Sequence, residues 1–247
     1  MPLLSPAELG LALFAALCIG LSKSGFSGIS LISVVLFAEL YGPKVSVGLT
    51  LPLLIVADLM AYPAFRKHGS WGLVWKLLPP TLIGLLAGWW VLRDMDDTQL
   101  RRAIGILIVL MVVIQTSRRL FSDSYERFVH STGFGNAAGL AGGFSTMLAN
   151  AAGPVIQLYL LARRIPKMEM IGTGARFFLL INFLKVPLNA QLATITPITL
   201  QENLKLVPAV AAGIFGGRWL IHRVPQKTFE WMVVIFSLIA GFRLLLF

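Results

Sequence analysis

Residues 48 to 63 read Gly48-Leu49-Thr50-Leu51-Pro52-Leu53-Leu54-Ile55-Val56-Ala57-Asp58-Leu59-Met60-Ala61-Tyr62-Pro63, an apolar run with one acid, Asp58, deep inside it. The same frame returns as Gly172-x9-Asn182-x4-Pro187. A second frame follows each copy, first as Pro79-x4-Gly84-x3-Gly88-x-Trp90 and then as Pro208-x4-Gly213-x3-Gly217-x-Trp219. The chain therefore repeats itself at the level of apolar helices. Two such halves are the ground plan of many secondary transporters, whose substrate site lies where the repeats meet near the bilayer midplane.

Composition fixes the class. Of 247 residues, 57% are hydrophobic and 13% charged, against roughly 25% charged in a soluble domain. This is the composition of an integral membrane protein, with room for about eight spans of roughly 20 residues and no soluble catalytic domain. The start, Met1-Pro2-Leu3-Leu4-Ser5-Pro6, lacks a cationic n-region, so the first apolar stretch is expected to stay in the mature protein. One cysteine, Cys18, excludes an internal disulfide and a cysteine metal cluster, and its apolar setting predicts a buried thiol. No metal site or cofactor is expected. The net charge of +10 arises from bases at span ends, such as Arg66 and Lys67, Arg118 and Arg119, and Arg163 and Arg164. Snorkelling and the positive-inside bias account for that placement without a nucleic acid.

Six apolar runs read as spanning helices, roughly 44–66, 73–93, 98–120, 167–189, 201–222 and 226–246. Trp71, Trp75, Trp89, Trp90, Trp219 and Trp231 fall near their ends, where indoles anchor at the interface. Two segments depart from this pattern, one at the head of each half. Pro6 to Tyr41 would form a helix of about 50 Å against a hydrocarbon core of about 30 Å, so it must tilt or break. The breaking point is Gly20-Leu21-Ser22-Lys23-Ser24-Gly25-Phe26-Ser27-Gly28. Its counterpart is Gly139-Leu140-Ala141-Gly142-Gly143-Phe144-Ser145-Thr146, followed by Asn150 and Gly153-Pro154. Irregular backbone at membrane depth needs protein or a wet cavity to satisfy its polar groups, so the two breaks predict a cavity.

Charge counting bears on the course of each broken segment. If each spans once, the repeats are parallel and the bases divide almost evenly between the two sides. If each is a re-entrant hairpin followed by three spans, the repeats are inverted. One side then gathers Arg66, Lys67, Arg118, Arg119, Arg163 and Arg164 among its bases. The other holds fewer, such as Lys44, Arg93, Arg101 and Arg102, beside Asp94, Asp96 and Asp97. The positive-inside rule favours the inverted arrangement, with both termini outside. The expected fold is all-α, with a first repeat over 1–124, a cytoplasmic linker over 125–133 and a second repeat over 134–247.

The Gly-rich break with Phe-Ser, Pro43-Lys44 and Pro166-Lys167 before the next span, the following Gly48 and Gly172, and the Pro-Gly-Gly-Trp helix together resemble the TauE/SafE sulfite exporter family of bacterial membrane proteins. The resemblance covers nearly the whole chain and rests on many loosely specified positions in the right order. The chain departs from the commoner pattern in having Lys23 among the small residues of the first break, and in lacking Thr-Ser after Gly172. The resemblance implies a multi-pass protein of the bacterial cytoplasmic membrane. It also implies export of sulfite, a sulfonate or another small anion.

The residues reach an anion independently. A half-helix that starts at a glycine-rich break presents free N–H groups and a positive dipole end. Ser22, Ser24, Ser27, Ser145 and Thr146 would add hydroxyls, Lys23 a charge, Gly25, Gly142 and Gly143 close backbone approach, and Asn150 an amide. Arg176 lies about ten residues inside its span, too deep for easy snorkelling, and is expected to touch the anion unless it pairs with Glu169. Asp58 against Asn182 is the asymmetry expected of a proton- or cation-coupling site, unless Asp58 simply pairs with Lys23 or Arg176. Lys185, three residues after Asn182 and near a span end, reads as a snorkelling lysine, with lining of the pathway as the alternative. Gly84-x3-Gly88 and Gly213-x3-Gly217 have helix-packing spacing, within the chain or between two copies of it in a homodimer.

Four other functions stand beside export by a carrier. A passive anion channel would use the same breaks and cations, and a coupled importer the same fold. Gly25-Phe26-Ser27-Gly28 matches the Gly-x-Ser-Gly of rhomboid-type proteases, but His68, His130 and His222 fall in or beside loops, leaving the serine without a base. A membrane scaffold would leave the breaks and Arg176 without purpose.

Overall fold

The first helix opens on a reciprocal cap: Glu8 N donates to Ser5 Oγ at 3.3 Å and Ser5 N donates to Glu8 Oε2 at 2.8 Å, with Pro6 at the first helical position. The computed structural model describes residues 4–24, 28–117, 132–163 and 165–220. Among these the regular structure is helical, with no strand. The order is α1 (Pro6–Lys23), α2 (Ser30–Tyr41), α3 (Pro43–Phe65), α4 (Trp71–Asp94), α5 (Asp97–Ser117), α6 (Thr132–Ala149), α7 (Gly153–Ala162), α8 (Lys167–Gln191) and α9 (Pro197–Leu220). Four stretches among the described residues are long and apolar enough to cross a membrane: Pro6–Lys23, Pro43–Phe65, Trp71–Asp94 and Met168–Gln191. The expected span at 226–246 and most of the 125–133 linker lie outside the described residues.

Both broken segments double back on themselves. Ser33 Oγ in α2 donates to Ala15 O in α1 at 2.8 Å, two residues that a straight helix would hold roughly 27 Å apart. In the second half, the Tyr159 ring of α7 stacks on Phe134 of α6 at 6.2 Å. The first break falls where expected: α1 ends at Lys23, and Gly28, at φ 98, takes a backbone conformation open to glycine before α2 begins.

The second break does not fall at Gly139–Thr146. α6 runs unbroken through those residues to Ala149, and the chain turns at Asn150, which adopts φ 53. The glycines serve contact instead. A Cβ on Gly143 would lie 2.8 Å from Leu85 N and press on Thr81 O, and one on Gly84 would press on Leu140 O. Close packing against α4 offsets the roughly 1 kcal/mol that each helical glycine costs.

The same contact recurs between α1 and α9. A Cβ on Gly20 would lie 2.8 Å from Ile214 N and press on Val210 O, and one on Gly213 would press on Leu17 O. Gly88 meets Met147 as Gly217 meets Ser24. By packing, then, Gly20 corresponds to Gly143 and Leu17 to Leu140, a register displaced from one that would set Gly20-Leu21 against Gly139-Leu140.

α3 and α8 cross in opposite directions. Along α3 and into the loop after it, Gly48 lies against Thr194, Asp58 against Asn182, Arg66 against Arg176 and Gly69 against Gly172. The partner's number falls as that of the first residue rises, so the two helices are antiparallel, with Asp58 and Asn182 at their crossing.

Candidate functional site

At that crossing lies a cavity of about 120 Å³, walled by both breaks and by α3, α7 and α8. It is close in size to the roughly 150 Å³ cavity that admits benzene. Lys23 and Gly28 reach it from the first break, Thr146, Asn150 and Gly153 from the second, and Asp58 and Asn182 from the long helices. The starts of α2 and α7 both open onto it, at Ser30 and Gly153.

The polar side chains at the cavity wall and just behind it form two groups. In the first, Lys23 Nζ is 2.7 Å from Asp58 Oδ1, and Asn182 Nδ2 donates to Asp58 Oδ2 at 2.7 Å. Asp58 is wholly buried, so its charge needs both partners. The Lys23 ammonium also sits 4.7 Å from the centre of the Phe178 ring, which attracts a cation through its quadrupole.

In the second group, Lys185 donates to Thr146 Oγ1 at 3.2 Å and to Asn150 Oδ1. Lys185 is 0% exposed and does not snorkel. The turn that carries Asn150 is tied in place by Asn150 Nδ2, which donates to Val47 O at 3.1 Å. The two groups together hold two lysines against one carboxylate, a formal surplus of one positive charge.

Several residues read as site candidates lie elsewhere. Ser24 is buried and donates to Ile214 O at 2.9 Å, and Ser145 donates to Gly142 O at 3.2 Å within α6. Gly142 packs on Ile156, and Gly143 on α4. They leave the cavity because α6 stays helical through its three positions, and Ser24, at the cap that ends α1, turns towards α9. Ser22 lines the cavity, but its hydroxyl hydrogen goes to Ile19 O at 2.7 Å. Gly25 and Ser27 lie outside the described residues.

Arg176 is also absent from the lining. Its guanidinium donates to Arg66 O at 2.9 Å and to Gly69 O, and lies 5.4 Å from the centre of the Trp71 ring. It caps the carbonyl end of α3, where a cation is favoured, and its partner is that backbone in place of Glu169.

The family model of sulfite exporter TauE/SafE matches residues 12–244. The chain belongs to this family. Its members are transporters, and the match together with the apolar helices makes the chain a multi-pass membrane protein. No curated protein and no solved structure gives a significant match. Within the TauE/SafE chain, Gln157 lines the cavity without having stood out in the sequence, and Lys185 lies behind the lining residues Thr146 and Asn150, to which it is bonded. Spacing held a signal for Lys185, since it stands three positions after Asn182 on the same helix.

Proposed function

We propose that this protein is a secondary carrier that exports a small sulfur-containing anion, such as sulfite or an organosulfonate, across the bacterial cytoplasmic membrane. The observation that carries this reading is the surplus of one positive charge at an interior cavity bounded by both chain breaks. A cation in the hydrocarbon layer costs at least about 2.5 kcal/mol. An unmatched lysine there is worth keeping if its counter-ion arrives with the cargo. The starts of α2 and α7 add N–H groups and dipole ends of the right sign.

Alternating access follows from two inverted repeats, 1–124 and 134–247, joined by the 125–133 linker. The antiparallel crossing of α3 and α8, the two doubled-back hairpins and the matched packing of α1 on α9 and α6 on α4 all support that arrangement. In it the hairpins are re-entrant, and the cavity lies at the repeat interface near the midplane. Asp58, opposite a residue that cannot titrate, is the proposed proton-coupling group.

Purified protein in detergent would be heated with sulfite, sulfate, thiosulfate, taurine, sulfoacetate and matched carboxylates. A ligand that binds the folded state alone raises the melting point by mass action. Selective stabilisation by a sulfur anion, with saturable flux of that anion in proteoliposomes, is expected. A flux that does not saturate would indicate a channel, and equal shifts with all anions would remove the sulfur preference.

A further inference from the structure

The two lysines of the site are held in different ways. Lys23 has a carboxylate at 2.7 Å. Lys185 does not itself line the cavity; it is bound by a hydroxyl and an amide oxygen, both neutral, of the lining residues Thr146 and Asn150. The Thr146 hydroxyl, accepting from Lys185, keeps its own hydrogen to donate. Asn182 fixes Asp58 as an acceptor from the other side.

We propose that Asp58 sets the charge class of the cargo: by neutralising Lys23 it leaves Lys185 as the single uncompensated cation, so the site selects singly charged oxyanions over doubly charged ones of the same shape. This inference rests on the anion-carrier reading and adds to it the charge state that is bound.

The physical basis is the low dielectric of the buried site. A singly charged anion brings the cavity to formal neutrality. A doubly charged one leaves a net negative charge beside Asp58, and with few solvent dipoles to screen it each unmatched charge is expensive. A neutral ligand leaves the surplus cation uncompensated. Removing the Asp58 charge raises the surplus to two and moves the preferred ligand charge by one.

Dimethyl sulfone, methanesulfonate and sulfate form a tetrahedral series of similar size with zero, one and two negative charges. Their binding to the full-length protein in detergent would be measured by calorimetry. For the wild-type protein, methanesulfonate should bind at least about tenfold more tightly than either neighbour. Asp58→Asn should reverse the order of methanesulfonate and sulfate, and Lys185→Gln should abolish the preference for methanesulfonate over dimethyl sulfone.

Because Asp58→Asn strips Lys23 of its partner, Lys23→Met combined with Asp58→Asn serves as a second variant. It returns the surplus to one and should return the wild-type order. Tighter sulfate binding to the wild-type protein, or an unchanged order in Asp58→Asn or a sulfate preference in the double variant, would overturn the charge rule while leaving an anion site. Failure of both anions to bind the wild-type protein would overturn the anion-carrier reading and the charge rule with it.

Discussion

The amide of Asn182 donates to the carboxylate of Asp58 at 2.7 Å, so the two positions that share one place in the repeated frame are in direct contact. An asymmetric pair at a crossing of this kind gives one titratable group and one fixed donor. Lys23 completes the set from the first break.

Asp58→Asn removes the charge and keeps the shape. Lys23 is then left with a half-buried, unmatched ammonium, a loss of up to about 3–5 kcal/mol, the figure for a fully buried pair broken on one side. A lower melting point is expected, with recovery of most of the loss when Lys23→Met is added. If Asp58 carries the coupled proton, transport by the single variant also loses its dependence on pH. A wild-type pH profile in that variant would remove Asp58 from coupling.

Two glycines on α9 should respond in opposite ways to the same change. A Cβ on Gly213 would lie 3.0 Å from Gly20 Cα and press on Leu17 O, whereas one on Gly216 meets nothing within 4 Å. Gly213→Ala is expected to destabilise the protein by about 1–3 kcal/mol through overpacking. Gly216→Ala should be neutral or stabilising by up to about 1 kcal/mol from helix propensity. Melting curves of the two variants in one detergent would decide it, and equal effects would contradict the α1–α9 crossing.

Much of this was legible because Gly, Pro and Asp stand out in an apolar chain. The frame from Gly48 to Pro63 and its copy located α3 and α8, and Lys23 within a glycine-rich stretch located the first break. The second break was misread because Gly139, Gly142 and Gly143 look like breakers when they are contact points, and the distinction depends on α4 lying against them. The place of Arg176, away from the cavity lining, was hidden for a related reason. Depth in a span says that a cation needs partners, but the carbonyls of Arg66 and Gly69 come from a loop more than a hundred residues away in sequence. Lys185 was the converse: closeness to a span end suggested water, and tertiary packing enclosed it.

Arg176→Gln separates these two readings of Arg176. Its hydrogen bonds to the carbonyls of Arg66 and Gly69, just past α3, are charge-assisted, and each such bond contributes about 1.5–3 kcal/mol. A clear fall in melting temperature is expected, with anion affinity of the remaining folded protein unchanged. A tenfold weaker affinity at unchanged stability would return Arg176 to the binding site.

Asn150 combines a backbone role with a side-chain role, and two substitutions can divide them. Its φ of 53 lies in the left-handed region, where alanine pays about 1–2 kcal/mol and glycine does not. Both Asn150→Ala and Asn150→Gly lose the bond to Val47 O and the oxygen that accepts from Lys185. They differ in backbone strain, against which stands about 0.4–1 kcal/mol of extra unfolded-chain entropy for glycine. The glycine variant should therefore be the more stable of the two by about 0.5–1 kcal/mol, while both bind the anion more weakly than the wild-type protein. If alanine were the more stable replacement, the turn at Asn150 would not be left-handed, and the second break would have to begin elsewhere.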